Sequence, residues 1–523
     1  MLQKSNPQTL AYRIIGLTTI LRLYLAGFTG LSVGESYYWR GAQMLQWSYF
    51  DQPPLFFWLS GLSIRLLDLT NFALRLPAVL LFVGTSYLMF RIGSRLFGLK
   101  AGVYALILLN SSFVFTIPIA SWFQPDAPLM FFWLLTVWCL LQVFFPKEGQ
   151  NSPMKWWLLA GLALGLTTLS KYHALFLFAS TLLFVLFHPE QRKWLRHPGP
   201  YLALLITLLM LMPVVIWNAE HDWVSFNFQG TRAGGYQVDF SRLGRSLLGQ
   251  MAWIAPWIWF PLIVVLYKTC RTLSADQKSS FVCWLAILPI LFFTAIAPFA
   301  RIGFHFHWQA PGYLMALVLL GKVTYGRLEI GRRSTRRWLR ASIAITAIFT
   351  LLLTVHMTTG FWSAFGPRLV GEQFGNTTDP TMEGVDFTDI RIRFEEEGWL
   401  TDESLFVATE KWWQTGKIDW PLRGQKDIFI FHPDARNHAY FFDPRPWLGK
   451  DAIYVRYQKP DQPPSGNLTP FFQSVVRLED LPVKRHGKTE LVMDVFYCKG
   501  FRLPDEPRWD MPLYRLLVGK APY

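Results

Sequence analysis

Between residues 1 and 361 this sequence is a succession of long apolar runs separated by short cationic segments, and that pattern constrains the fold more than any other feature. A bilayer crossing takes about 20 mostly apolar residues, wound as a helix so that the backbone satisfies its own polar groups in lipid. About eleven stretches meet this description, near residues 10–29, 73–92, 101–120, 126–146, 156–170, 172–188, 200–217, 250–267, 281–299, 309–324 and 341–361. The first is interrupted by Arg13 and Arg22 and reads as a membrane helix rather than a cleavable leader. The fifth and sixth adjoin at Ser170-Lys171-Tyr172-His173 and read as a hairpin or as one bent helix.

The character changes after residue 361. Strand-like runs (SLFVATE, DIFIFHP, AIYVRYQ, SVVRLED, ELVMDVFY) alternate with helical segments at 387–398 and 410–419. The expectation is a polytopic α-helical membrane domain over 1–361 and a water-soluble α/β or α+β domain over 362–523. Only 16% of the chain is charged, against about 25% in soluble domains, and the deficit lies in the first part.

The net charge of +15 does not indicate nucleic acid, because the Lys and Arg cluster in loops between apolar runs. Arg91, Arg95 and Lys100 form one such cluster, and Arg192, Lys193 and Arg196 another. Lys268 with Arg271, and Arg327 through Arg340, complete the set. The positive-inside rule puts these loops and the N-terminus in the cytoplasm. An odd helix count then puts the C-terminal domain outside, with the chain in a bacterial inner membrane. Cys139, Cys270, Cys283 and Cys498 have no zinc-site spacing, and Cys498 alone lies in the soluble part.

The segments assigned to the outer side concentrate polar, ionisable and aromatic residues, which at a membrane boundary mark sites. They include GESYYWRGAQMLQWSYFDQPPL (34–55), SWFQPD (121–126), NAEHDW (218–223) and ARIGFHFHW (300–308). Within the first, Pro54–Leu69 is amphipathic enough to lie on a membrane surface.

In matching order, the first of these segments, QPDAPLMFFW (124–133), LSKYHALF (169–176), PVVIWNAEHDWVSFNFQ (213–229) and HWQAPGYL (307–314) resemble a known superfamily. It is that of the dolichyl-phosphate-mannose–protein mannosyltransferases, in the branch with the lipid A aminoarabinose and galacturonic acid transferases. The resemblance covers about residues 12–330. It implies a GT-C fold and a glycosyltransferase that passes a sugar from a polyprenyl-phosphate carrier to a lipid or glycan acceptor, with inversion. A protein acceptor is the first alternative, a non-catalytic transporter of lipid-linked sugar the second, and a membrane scaffold the third.

Such a reaction needs a carboxylate or His as general base and a cation for the leaving phosphate. The resemblance makes Glu35 the first candidate base, although the family's leading Asp of the pair falls on Gly34. Read from the residue alone, Glu35 could equally cap a short helix. Asp126 matches a family active-site Asp and is also placed as a helix N-cap. Lys171 matches a family phosphate contact, against a plain snorkelling Lys. Tyr37, Tyr38 and Asp51 are candidate substrate contacts; Asp51 also suits a turn before Pro53-Pro54. His221, Asp222, Arg301, His305 and His307 are further substrate-binding candidates. No cofactor is required, while Glu35, His221 and His305 have the ligand chemistry for a divalent metal.

Overall fold

A computed structural model describes residues 6–149, 152–233, 238–300, 305, 307–361, 380–457, 464 and 466–523. The chain forms two compact units. One comprises Met1–Ala26, Gln52–Phe56 and Arg75–Thr350; the other comprises Gly27–Asp51, Phe57–Leu74 and Leu351–Tyr523. Two early stretches thus group with the C-terminal residues.

Along the chain the first helices are α1 (Pro7–Phe28), α2 (Val33–Gln43), α3 (Leu55–Leu67), α4 (Asn71–Phe97) and α5 (Leu99–Asn110). The one-turn helices α6 (Phe113–Thr116) and α7 (Pro118–Ser121) follow. Then come α8 (Asp126–Phe144), α9 (Pro153–Ser170), α10 (Ala174–Phe187), α11 (Pro198–Glu220) and α12 (Val224–Ala233). The series continues with α13 (Ser241–Ile254), α14 (Pro256–Cys270), α15 (Gln277–Ala295), α16 (Ala310–Glu329) and α17 (Arg333–Thr359).

Every apolar stretch predicted from the sequence overlaps one of these helices. Among the described residues, six are long and apolar enough to cross a membrane alone, and nine if each bent pair counts as one span. That is fewer than the eleven read from the sequence. The difference is α9 and α16, whose apolar stretches are diluted by Lys155, and by Lys322, Arg327 and Glu329. Residues Ala310–Gly321 of α16 are buried. A Cβ on Gly312 would lie 2.4 Å from the Ala286 carbonyl oxygen, and one on Gly321 2.7 Å from the Ala105 nitrogen. Small residues let helix backbones approach this closely, which lowers the hydropathy of a helix that protein rather than lipid surrounds.

Two of the cations inside apolar helices are buried and partnered. Arg22 is 2% exposed, donates to Asn110 Oδ1 (2.6 Å) and Thr18 Oγ1 (3.0 Å), and lies 4.4 Å from the centre of the Phe82 ring. Arg75, 1% exposed, donates to the Leu25 carbonyl at 3.3 Å. These contacts replace the water that a membrane interior cannot supply.

In the second unit a mixed sheet is built from β1 (Leu405–Thr409), β2 (Ile428–Ile430), β3 (Asp451–Tyr457), β4 (Phe472–Arg477), β5 (Leu481–Arg485) and β6 (Lys488–Phe501). The order is β2-β1-β3-β6-β4, with β5 paired to β6; β1 runs parallel to β2 and β3, and the β6 pairings are antiparallel. The central strands read as continuous apolar runs because both faces are covered. Leu405, Val407, Ile453 and Val455 enter one core with Ile390 and Phe394 of α18 (Thr388–Glu396). Phe406, Ala408, Ala452 and Tyr454 enter the other, with Leu513 and Tyr514 of the last helix, Pro512–Leu517. His486 and Gly487, both at positive φ, turn β5 into β6 as a two-residue hairpin.

Candidate active site

In the first unit the structure brings Asp126 and Lys171 together. Asp126 is the first residue of α8, and Lys171 follows the last residue of α9 in an extended conformation. Lys171 Nζ donates to Asp126 Oδ1 at 2.9 Å and Oδ2 at 3.1 Å. The two residues are 5% and 1% exposed. The N-cap role is not taken: Pro125 occupies that position, and no side chain caps α8. The carboxylate instead sits at the positive end of one helix dipole and the ammonium at the negative end of another, so each charge suits its own helix as well as its partner. A buried pair of this kind is costly to desolvate and is weak evidence of a purely stabilising role.

The neighbouring residues are aromatic. His173 stacks on Phe293 at 4.7 Å, and the Tyr172 ring lies 5.7 Å from Phe226. His305 and His307 lie 5.6 Å apart, ring centre to ring centre, and His305 also packs at 5.3 Å on Trp308. Arg301 falls outside the described residues. At the end of α11, His221 stacks on Trp217 at 4.0 Å and its Nδ1–H donates to the Trp217 carbonyl at 2.7 Å. Asp222 and Trp223 both have positive φ, 54° and 57°. This conformation is rare for a bulky residue, and it makes the His221-Asp222-Trp223 segment a tight left-handed turn. Its brace is Asn218, whose carbonyl accepts from the Trp223 N–H (2.8 Å) and whose Oδ1 accepts from the Ser225 N–H (3.1 Å).

In the second unit Glu35 is the third residue of α2 and 0% exposed. It forms a reciprocal capping box: Oε2 accepts from the Ser32 N–H at 2.9 Å, and Ser32 Oγ accepts from the Glu35 N–H at 3.3 Å. The capping role is therefore filled, and it fixes the carboxylate in one orientation. Tyr37 is buried, and its hydroxyl accepts from the Asn437 N–H at 3.1 Å. Burial, reinforced by Asp51, pushes this phenol well above its ordinary pKa, so it stays protonated. Asp51 accepts from Asn437 Nδ2 at 3.2 Å, which gives it a buried tertiary bond beyond the turn. Tyr38 packs against Tyr37 and Phe57, at 4.9 and 5.6 Å.

Sequence reasoning missed a buried, doubly bonded ion pair in this unit. Arg40, in the same helix, grips Asp419 with two bonds of 2.5 and 2.7 Å and donates to the Lys426 carbonyl at 2.9 Å. Asp419 ends α19 (Trp412–Asp419), which packs on α2 so closely that a Cβ on Gly416 would lie 2.1 Å from Ser36 backbone atoms. No local signal announces a partner so distant in sequence. Lys417 of α19 donates to the carbonyls of Leu31, Glu383 and Val385.

Burial raises the Glu383 carboxyl to about 7; Lys417 opposes the rise and the charge of Glu35 adds to it. A raised carboxyl pKa favours the folded state when the group is protonated, and that contribution is lost as pH climbs from about 4.5 through about 7. Thermal unfolding is expected to show a less stable protein at pH 8 than at pH 5, with Glu383→Gln flattening the difference. An unchanged slope in the variant would remove Glu383 as its source.

Among the described residues, no three His, Cys, Asp or Glu come together as a metal-binding group. Glu35 is engaged in its capping box, and the His221 ring is stacked and hydrogen-bonded at Trp217.

Comparison with known proteins matches residues 51–217, which hold both Asp126 and Lys171, to the dolichyl-phosphate-mannose-protein mannosyltransferase family. The fold matches the crystal structure of ArnT from Cupriavidus metallidurans bound to undecaprenyl phosphate. The TM-score is 0.62 at 16% identity, over 93% of this chain and 97% of that one. The chain is thus a membrane glycosyltransferase of the GT-C fold.

Among curated relatives it is 24% identical over 363 residues to the lipid A galacturonosyltransferase RgtD of Rhizobium johnstonii, covering 66% of this chain and 70% of that protein. It is 26% identical over 271 residues to the undecaprenyl phosphate-alpha-4-amino-4-deoxy-L-arabinose arabinosyl transferase of Pectobacterium carotovorum, covering 49% of this chain and 47% of that protein. The latter match spans about half of that relative's length.

Proposed function

We propose that this protein transfers a sugar from a polyprenyl-phosphate carrier to a lipid acceptor of the lipid A kind. The observation that carries the reading is the buried Asp126–Lys171 pair inside the family-matched stretch. A compact ammonium suits a phosphate oxygen. In the reaction the bond from the sugar's anomeric carbon to the carrier phosphate breaks, the acceptor oxygen bonds to that carbon, and the acceptor proton passes to a base. Lys171 neutralises charge on the departing phosphate. Asp126, bonded to that ammonium, is a positioning residue that orients the Lys171 side chain. Glu35, on its motif position, is the carboxylate put forward as base. The test is incubation of purified protein with a panel of undecaprenyl-phosphate sugars and lipid A, read by mass spectrometry. One donor should yield a sugar-modified lipid; a modified polypeptide in its place would favour the protein-acceptor reading.

The cationic loops support a cytoplasmic N-terminus in a bacterial inner membrane, with residues 362–523 on the outer side. Ser404 is exposed on the C-terminal unit. A cysteine there should react with an impermeant maleimide on intact cells stripped of their outer membrane. Reaction only after permeabilisation would reverse the orientation.

A further inference from the structure

At the other end of α8 and α9 the first unit holds a second, apolar site. A cavity of about 100 Å³ is bounded by Leu140 of α8, Trp157 and Ala160 of α9, Ala203 of α11, residues of α10, and Trp194 with Leu195. Trp194 and Leu195 belong to the short 3-10 helix Pro189–Arg196, PEQRKWLR. Leu140 and Trp157 lie about four helical turns, or about 20 Å, from Asp126 and Lys171 along their helices. The cavity is therefore separate from the phosphate-binding pair.

Two observations identify an occupant. The walls are almost wholly apolar, and Phe178, Leu182 and Leu195 on them are exposed, as a site open to a hydrocarbon chain requires. The 3-10 helix that supplies Trp194 and Leu195 also carries Arg192, Lys193 and Arg196, all exposed, against a single acid, Glu190, which accepts from Gln277. Lys193 Nζ lies 5.4 Å from the Trp194 ring, which brings cationic charge to the cavity wall.

We infer that this cavity binds an anionic glycerophospholipid: an acyl chain among Leu140, Trp157 and Trp194, and the phosphate at Arg192, Lys193 and Arg196. Polybasic segments beside apolar surface select anionic headgroups by this combination.

The test is photocrosslinking of the purified full chain with phosphatidylglycerol carrying a diazirine on one acyl chain. Label should concentrate on the α9 and α10 peptides that bound the cavity. Unlabelled phosphatidylglycerol should compete at least tenfold better than phosphatidylcholine. Replacing Arg192, Lys193 and Arg196 together by Gln should abolish that preference, since each charge near an anionic lipid is worth about fivefold. All three positions are exposed. Ala203→Phe, which fills the cavity and keeps the charges, should remove the α9 and α10 label. Equal competition by phosphatidylcholine, or label spread evenly over the apolar helices, would overturn the inference. So would displacement by undecaprenyl phosphate alone, which would make the cavity part of the carrier site.

Discussion

Glu35→Gln is expected to lower turnover by about 10²–10⁴-fold, the contribution of a positioned general base, while thermal stability changes little. The two effects separate because Gln at the third helical position still completes a capping box with Ser32. Gln keeps an oxygen for the Ser32 N–H but cannot take a proton. Glu35→Ala, by contrast, should lose the cap as well, at about 1 kcal/mol. Full activity in Glu35→Gln would reduce Glu35 to its capping role and move the search for a base to Asp51, which is buried against Asn437. Gly34→Asp places beside it the Asp that the resemblance of residues 34–55 leads one to expect. With Glu35 as base, that change should bring little gain.

Lys171→Ala should cost more than activity. It leaves the Asp126 carboxylate buried without its cation, and breaking a buried pair in this way typically costs about 3–5 kcal/mol. Donor affinity or transfer should fall by roughly one to two decades, the worth of one charge-assisted contact of about 1.5–3 kcal/mol. Adding Asp126→Asn to Lys171→Ala removes the stranded charge, so the double variant should regain much of the lost stability and none of the activity. Lys171→Arg should keep part of the function, since the charge survives while its geometry changes. Unchanged donor kinetics in Lys171→Ala would remove this residue from the site. Recovery of activity together with stability in the double variant would make the pair purely structural.

Much of this fold was legible because lipid and a covered sheet both enforce simple patterns. Each apolar stretch became helical, and five of the six strands coincide with runs picked out by composition. The missed strand, β5, reads LPVKR: Pro482 and Lys484 face out while Leu481, Val483 and Arg485 are buried, so it lacks a continuous apolar run. The count of crossings was less legible, because α16 is surrounded by protein and is rich in small residues. At the candidate site the residue types were visible but their partners were not. Asp126 and Lys171 had separate readings, as a cap and as a phosphate contact, and nothing in the sequence joined them. The same holds for Arg40, which follows the Tyr37-Tyr38-Trp39 run yet owes its position to Asp419, and for Asp51, whose partner Asn437 lies far along the chain in the same unit. Tertiary pairs between buried polar groups leave no periodicity in either segment.

The central claim, sugar transfer from a polyprenyl phosphate, is tested most directly by following both halves of the donor in a single reaction. Purified protein in proteoliposomes is given an undecaprenyl-phosphate sugar and lipid A, and free undecaprenyl phosphate is quantified beside sugar-modified lipid. The account predicts that the two products appear in equal amounts, and that both fall steeply in Glu35→Gln and Lys171→Ala. Movement of intact donor from one leaflet to the other, with neither product formed, would contradict it and leave a transporter built on a transferase fold.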